Sequence, residues 1–216
     1  TVLLAPSPSA LQKLLNVCND YIKSHSLVLN VKKTKCMMLT PKLFRDITFP
    51  KLYFDKKQIS VVKEEKYLGY LIRNDLSDDA TMLNVLKGVY SRGNMLVRNF
   101  HMCDVKVKLK LFETFCSSFY CCSLWNNFKL STLEKVRVGY NNVFRALLNI
   151  DRRTSISHTF VHYNVSSFQV LQRKLIYSLY QRIVASDNGL VREIANSVHF
   201  SESRLYKHWI SKLYTF

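Results

Sequence analysis

The sequence predicts an α+β fold in which a small mixed portion, residues 1–75, precedes an all-helical portion. Up to residue 73, short apolar runs alternate with polar turns, which is the pattern of short strands. Beyond it, apolar residues recur every three or four positions, as they do along the buried face of a helix. We divide the helical portion into residues 76–150 and 151–216. A hydrophobic content of 48% and a charged content of 22% indicate a folded globular chain.

The first portion opens with a predicted buried strand over residues 1–5 and a helix that starts at Pro8. Ser7 is the expected N-cap, and proline suits the first helical position because it has no N–H to satisfy there. One apolar face then follows at helical spacing. Its residues are Leu11, Leu14, Leu15, Cys18 and Ile22.

The rest of this portion reads as short strands joined by turns. A polar turn over residues 30–35 leads into a predicted buried strand over residues 36–39. Residues 52–62 predict a hairpin. Residues 67–72 predict one further strand, interrupted by Gly69.

The helical portion contains four predicted helices with N-terminal caps, followed by two short helical segments. The expected caps are Asp78 or Asp79, Asp104, and capping boxes over residues 131–134 and 166–169. Gly88 and Gly93 disfavour one straight first helix, since glycine is a poor helix former. The predicted core positions of the third helix are Val136, Tyr140, Val143, Phe144 and Leu147.

The charge of the chain predicts a polyanionic partner. Lys and Arg number 32 against 15 Asp and Glu, a net charge of +17. Such an excess favours nucleic acid first and an anionic membrane second. No stretch approaches the roughly 18 consecutive apolar residues of a membrane-spanning helix. The six cysteines lack C-x-x-C spacing and predict reduced core thiols in an intracellular protein, nuclear or cytoplasmic.

Two groups of residues invite a metal-binding interpretation, and we favour a structural role for both. Asp78 and Asp79 are the only adjacent aspartates, but their position at a predicted helix start suits a cap beside the helix dipole. His158 and His162 share a helix face without a third ligand. Two-metal phosphoryl transfer needs carboxylates that converge on two cations. We therefore predict no metal site and no cofactor within this sequence.

The polar turn over residues 30–35 holds three lysines between apolar segments. A lysine fixed at a turn near an active site can neutralise a leaving phosphate or donate a proton to it. Lys33 is the candidate for this role. A solvated turn lysine is the alternative.

Three segments follow in the order TVLLAPSPSALQKLLNVCNDYI, LVLNVKKTKCMML and KYLGYLI. Together they resemble the C-terminal part of the palm of a reverse transcriptase from a non-LTR (LINE-type) retrotransposon. Asn30, Lys33 and Thr34 match the N-x-x-K-T motif of that family. The resemblance implies that Lys33 is an accessory catalytic residue that approaches the triphosphate.

The resemblance extends into the primer grip and the thumb. Tyr67, Leu68 and Gly69 match the Y-L-G of the family's primer-grip hairpin and would hold the primer end. RGNMLVRNF, VKVKLKLFETFCSSFYCCSLW and YNNVFRALLNIDRRTSIS resemble the thumb and the region that follows it. Residues 1–75 would then be a palm remnant and residues 76–150 a thumb-like bundle. The candidate phosphate contacts in the bundle are Arg92, Arg98, Lys106 and Lys110.

The chain also departs from the family. The aromatic-Ala-Asp-Asp box, which binds Mg²⁺ in the intact enzymes and precedes the strand that resembles TVLLA, is not in this sequence. We therefore expect a fragment of an RNA-directed DNA polymerase that is inactive alone but keeps a surface for an RNA template/DNA primer duplex. The alternative is a non-enzymatic, basic helical domain that interacts with an acidic protein partner.

Overall fold

The structure is a computed structural model that describes residues 1–39 and 50–214. It has mixed helix and sheet, 59% helical with few short strands, and the predicted α+β class is confirmed. The chain forms two compact units, Thr1–Ser77 and Asp78–Phe216. No helix in the described ranges is long and apolar enough to cross a membrane.

The first unit contains one helix and six short strands in its described residues. They are α1 (Pro8–Ser24), β1 (Lys35–Cys36), β2 (Tyr53–Phe54), β3 (Lys57–Gln58), β4 (Ser60–Val61), β5 (Glu64–Tyr67) and β6 (Tyr70–Arg73). Strands β1 and β4 pair in parallel, whereas β2–β3 and β5–β6 are antiparallel hairpins.

Helix α1 starts as predicted. The Ser7 hydroxyl accepts a hydrogen bond from the Ala10 amide at 3.2 Å, and Pro8 lies in the first turn. Its apolar face packs on the core of the unit, with Leu14 as the more exposed member. The buried residues of that core are Leu15, Cys36, Leu52, Phe54 and Ile59. Helix α1 supplies one side of this core and stabilises the short strands by packing against them, since two-residue strands do not form a stable sheet by themselves.

A single glutamine ties α1 to the edge of the β2–β3 hairpin. The Gln12 side-chain amide donates to the Tyr53 carbonyl at 2.8 Å, and its oxygen accepts from the Tyr53 amide at 2.9 Å. The side chain therefore satisfies both polar groups of a residue on a strand edge. This contact joins positions 41 residues apart, which spacing along the sequence does not reveal.

Four strand predictions are wrong in extent or in pairing, three of them before residue 63. Residues 1–5 join no strand of the described chain, and Leu4 is 82% exposed. An extended segment becomes a strand only by hydrogen bonding to a neighbour. Of residues 36–39, Cys36 alone lies in a strand. The hairpin predicted over residues 52–62 is shorter than expected, because β4 pairs with β1 instead of closing it.

The single strand predicted over residues 67–72 is a hairpin. Tyr67 and Tyr70 face each other across a two-residue turn of Leu68 and Gly69, whose φ angles are 47° and 84°. A tight turn with two positive φ angles matches the twist of the flanking strands, and glycine adopts such an angle without strain. Gly69 therefore reverses the chain rather than marking a bulge.

All regular elements in the described residues of the second unit are helices, and loops connect them. Its elements are α2 (Asp79–Asn99), α3 (Val105–Cys116), a short 3₁₀ helix (Cys122–Leu124), α4 (Leu130–Leu148), α5 (Ile156–His162), α6 (Phe168–Val184), α7 (Gly189–Asn196), α8 (Val198–Glu202) and α9 (Arg204–Tyr214). Helix α4 is central and packs against α2, α3 and α6. All five of its predicted core residues are buried.

Aromatic rings fill the core around α4. The Phe144 ring lies 4.9 Å from that of Phe112 and 4.6 Å from that of Phe160, measured between centroids. The Tyr140 hydroxyl donates to the Ser166 carbonyl at 2.9 Å, and burial raises the pKa of this phenol. Burial also raises the pKa of the Cys122 thiol to about 12. These aromatic and thiol groups build the core and are not available to a ligand.

Both predicted capping boxes differ from the observed helix starts. Helix α4 begins beyond Lys129, and Glu134 pairs with Arg137 instead of reaching back to the helix start. Helix α6 is capped by Ser167, one residue later than the box requires. The prediction for α3 is confirmed, because the Asp104 carboxylate accepts from the Val105 amide at 2.6 Å.

Helix α2 runs unbroken through both of its glycines. One of them, Gly93, allows α4 to approach closely. A Cβ at Gly93 would lie 2.3 Å from Val143 Cγ1, far inside a normal contact distance. A Cβ at Gly139 on α4 would lie 2.3 Å from Leu86 Cδ1 on α2. Each helix thus presents a glycine to a bulky side chain of the other.

We predict that Gly93→Ala destabilises the helical unit by about 1–3 kcal/mol, the usual cost of overpacking a core. Gly88→Ala is the matched control on the same helix, since its nearest neighbour is the guanidinium end of Arg92, at 3.1 Å, rather than a packed core side chain. Because alanine is the better helix former, the control should be neutral or stabilising by up to about 1 kcal/mol. Urea unfolding followed by circular dichroism measures both. Equal stabilities of the two variants would contradict the close approach.

Candidate nucleic-acid interface

The N-x-x-K-T residues form one compact turn. The Asn30 carbonyl accepts from the Lys33 amide at 3.0 Å and from the Thr34 hydroxyl at 3.1 Å. The Asn30 side-chain oxygen also accepts from the Lys33 amide, at 3.2 Å. Asn30 and Thr34 thus hold the turn closed by their own side chains. The Lys33 side chain is exposed, so its ammonium group can reach an anionic partner.

The Y-L-G residues form the exposed tip of the β5–β6 hairpin. Leu68 is 74% exposed, and Tyr67 beside it is also exposed. At the base of the hairpin, the Asn74 amide donates to the Lys63 carbonyl at 2.8 Å. The tip therefore projects from a hydrogen-bonded stem and offers an apolar and aromatic edge to a partner.

Three of the four predicted phosphate contacts flank one connection in the helical unit. Arg98 lies in the last turn of α2, and Lys106 and Lys110 lie on α3; five residues connect the two helices. All three side chains are exposed, whereas Lys108 is half-buried. The predicted shared face of Lys106 and Lys110 is confirmed. We call Arg98, Lys106 and Lys110 the α2–α3 elbow.

Arg92 is engaged within the protein. Its Nε donates to the Phe115 carbonyl near the end of α3, and its guanidinium lies against Gly88. A cation at the C-terminal end of a helix pairs favourably with its last carbonyl groups. Arg92 therefore links α2 to α3 and stands apart from the elbow.

The adjacent carboxylates Asp78 and Asp79 accept hydrogen bonds from backbone amides of the chain that precedes α4. Asp78 is 5% exposed, and its Oδ2 accepts from the Asn126 amide at 2.8 Å and the Asn127 amide at 2.7 Å. Asp79 Oδ1 accepts from the Lys129 amide at 3.0 Å. Asp78 occupies the predicted N-cap position of α2 and Asp79 lies in the first turn, but the Asp78 side chain makes no capping hydrogen bond. Both carboxylates instead accept from amides of the chain before α4. We call this arrangement the Asp78–Asp79 latch.

The histidine pair also remains without a third ligand. The His158 and His162 rings are nearly parallel, with centroids 6.4 Å apart, and both are exposed. Across residues 1–39 and 50–214, no group of three His, Cys, Asp or Glu side chains could hold a metal ion.

Sequence reasoning missed a basic groove between α4, α5 and α6. Its cations are Arg137 on α4 and Arg173 and Lys174 on α6. The two helices are separated by about 20 residues of chain, so no local spacing brings these residues together. The adjacent pair Arg173–Lys174 was the visible signal.

No protein-family model, no curated protein and no solved structure matches this chain.

We predict that Asp78→Ala destabilises the helical unit by about 2–4 kcal/mol, since two amides lose a buried acceptor and each unsatisfied group costs about 1–3 kcal/mol. Asp78→Asn keeps an acceptor oxygen and should be less damaging. Asp187→Ala, at an exposed site, is the control for loss of one negative charge. Thermal unfolding ranks the three variants. An Asp78→Ala protein as stable as the control would contradict the latch.

Proposed function

We propose that this chain is a fragment of a non-LTR retrotransposon reverse transcriptase, inactive alone, that keeps a surface for a primer–template duplex. The observation that carries the proposal is the three-cation α2–α3 elbow, in the part of the chain that resembles the thumb. Exposed Lys and Arg side chains contact phosphates, position a duplex and do not read its sequence. The net charge of +17 supports the same partner.

The first unit supports the proposal through its two exposed turns. The N-x-x-K-T residues form the turn that projects Lys33, and the Y-L-G residues form a hairpin tip. In an intact enzyme, Lys33 would approach the triphosphate and offset the charge that develops on the departing pyrophosphate. Tyr67, Leu68 and Gly69 would contact the primer end. Both roles are accessory to a metal site.

The described residues do not fit the Mg²⁺ that the family implies. The Asp78 carboxylate is buried on two backbone amides, and Asp79 is held by a third. These carboxylates stabilise the helical unit and do not converge on a cation. In the family, Mg²⁺ stabilises the attacking and leaving oxygens, and the aromatic-Ala-Asp-Asp box that binds it does not occur in this sequence.

A basic protein-interaction domain is the second candidate. Helix α7 has no buried residue, and Leu190 and Ile194 on it are exposed, one helical turn apart. An exposed apolar strip of this kind suits a protein partner. Duplex binding separates the two candidates, because the second does not require it.

We predict that R98Q/K106Q/K110Q lowers affinity for a primer–template duplex by roughly 10–100-fold near 0.1 M salt and reduces the salt slope by about 2.7, since each phosphate contact adds about 0.9. The matched control, R182Q/R192Q/K207Q, removes three exposed charges from α6, α7 and α9. Fluorescence anisotropy at several salt concentrations measures both variants. Equal losses would remove the elbow from the proposal, and absence of duplex binding at low salt would favour the second candidate.

We also predict that the purified chain does not extend a primer in the presence of Mg²⁺ and deoxynucleotides. The reason is chemical: phosphoryl transfer of this type requires carboxylates that hold two metal ions. A gel assay with an active reverse transcriptase as the positive control provides the measurement. Metal-dependent extension by the purified chain would show that the site is complete within these 216 residues.

A further inference from the structure

A groove with a volume of about 680 Å³ lies between α4, α5 and α6. Two of its lining residues, Phe160 and Val165, are buried and close the floor. The Val165 amide donates to the Phe160 carbonyl at 2.9 Å, which fixes the loop that follows α5. The Tyr140 hydroxyl holds the Ser166 carbonyl at 2.9 Å. The groove is therefore shaped by the core and does not depend on a ligand.

The charged residues that line the groove are all basic. Arg137 comes from α4, and Arg173 and Lys174 come from α6. Arg137 is paired with Glu134, which is not a lining residue of the groove. The pair lowers the net positive charge beside the groove. Lys174 Nζ donates to Ser166 Oγ at 2.9 Å. Because an ammonium group has three donors, that bond leaves it able to bind an anion as well.

The neutral lining includes polar residues of the types that bind phosphate, beside the apolar residues Ile156, Phe160, Val161, Val165 and Val170. Asn141, Ser157, Asn164 and Gln169 place amide and hydroxyl groups along the walls. Proteins bind phosphate and sugar oxygens with Arg and Lys together with Ser, Asn and Gln side chains. The groove combines these residue types with an absence of acidic lining residues in the described chain.

We propose that this groove binds the phosphodiester backbone of a single-stranded nucleic acid, an inference that rests on the proposed function and adds a second surface to it. The volume is that of pockets for small molecules, roughly 300–1,000 Å³, and admits a few nucleotides of one strand but not a double helix. A peptide would dock by placing side chains in apolar pockets. Phe160 and Val165 are covered, and the exposed apolar side chains of the lining are two separate valines, Val161 on α5 and Val170 on α6. The strand contacts the groove through its phosphates and leaves the bases free.

The test compares R173Q/K174Q with R182Q/R192Q, two exposed charges removed from α6 and α7 outside the groove. The probe is a fluorescein-labelled oligouridylate of about 12 nucleotides, a length near the site sizes of single-strand binders. R173Q/K174Q should lose about tenfold in affinity near 0.1 M salt, with a salt slope reduced by about 1.4, since each single-strand contact adds about 0.7. The control should lose little. Circular dichroism verifies that both variants are folded.

A second variant keeps the test decisive if R173Q/K174Q is unstable. Ser157→Glu places a carboxylate in the groove from an exposed position on α5, and it should weaken oligouridylate binding while duplex binding by the elbow persists. Equal oligouridylate affinities of the groove and control variants, with duplex binding intact, would overturn the groove proposal alone. If the unmodified chain binds neither oligouridylate nor the duplex, the proposed function is overturned as well. Tighter groove-dependent binding of an oligoglutamate peptide than of oligouridylate would replace nucleic acid by an acidic protein.

Discussion

The close crossing of α2 and α4 is the contact on which the helical unit depends. Gly93 and Gly139 let each helix accept a bulky side chain of the other, which brings the two backbones together along the core. One side of α4 is buried in this contact and in the aromatic core, and residues Arg137 and Asn141 of the same helix line the groove. Helix α2 ends at the elbow. Both proposed binding surfaces are thus placed by one packed helix pair.

Several carboxylates in this unit hold local structure. Asp78 holds two buried amides, Asp104 caps α3, and the Arg137 guanidinium lowers the pKa of Glu134. Asp151 accepts from the Arg153 amide at 2.6 Å. Acidic groups engaged in this way hold turns and helix ends in place. A cationic surface potential is the result, and it attracts a polyanion before any specific contact forms.

Some local signals in the sequence predicted local structure correctly, although both capping boxes misplaced the start of their helix. Ser7 and Pro8 placed the start of α1, and helical spacing identified the buried face of α4, because both depend on neighbours within a few residues. Predictions failed where a distant partner decides the outcome. Strand β4 pairs with β1 rather than closing a hairpin, and the Asp79 carboxylate binds the amide of Lys129, 50 residues away. The groove was missed for the same reason, since three helices build it.

The glycine contact between α2 and α4 also constrains how this chain can diverge. A methyl group gained at position 93 needs space that only a smaller residue at position 143 can provide. The same coupling joins position 139 to Leu86 and Tyr90. As the sequence diverges, substitutions at these sites should therefore arise in compensating pairs. The combined volume of the two residues in contact should stay nearly constant. Such covariation would mark the crossing even where the individual residues have changed.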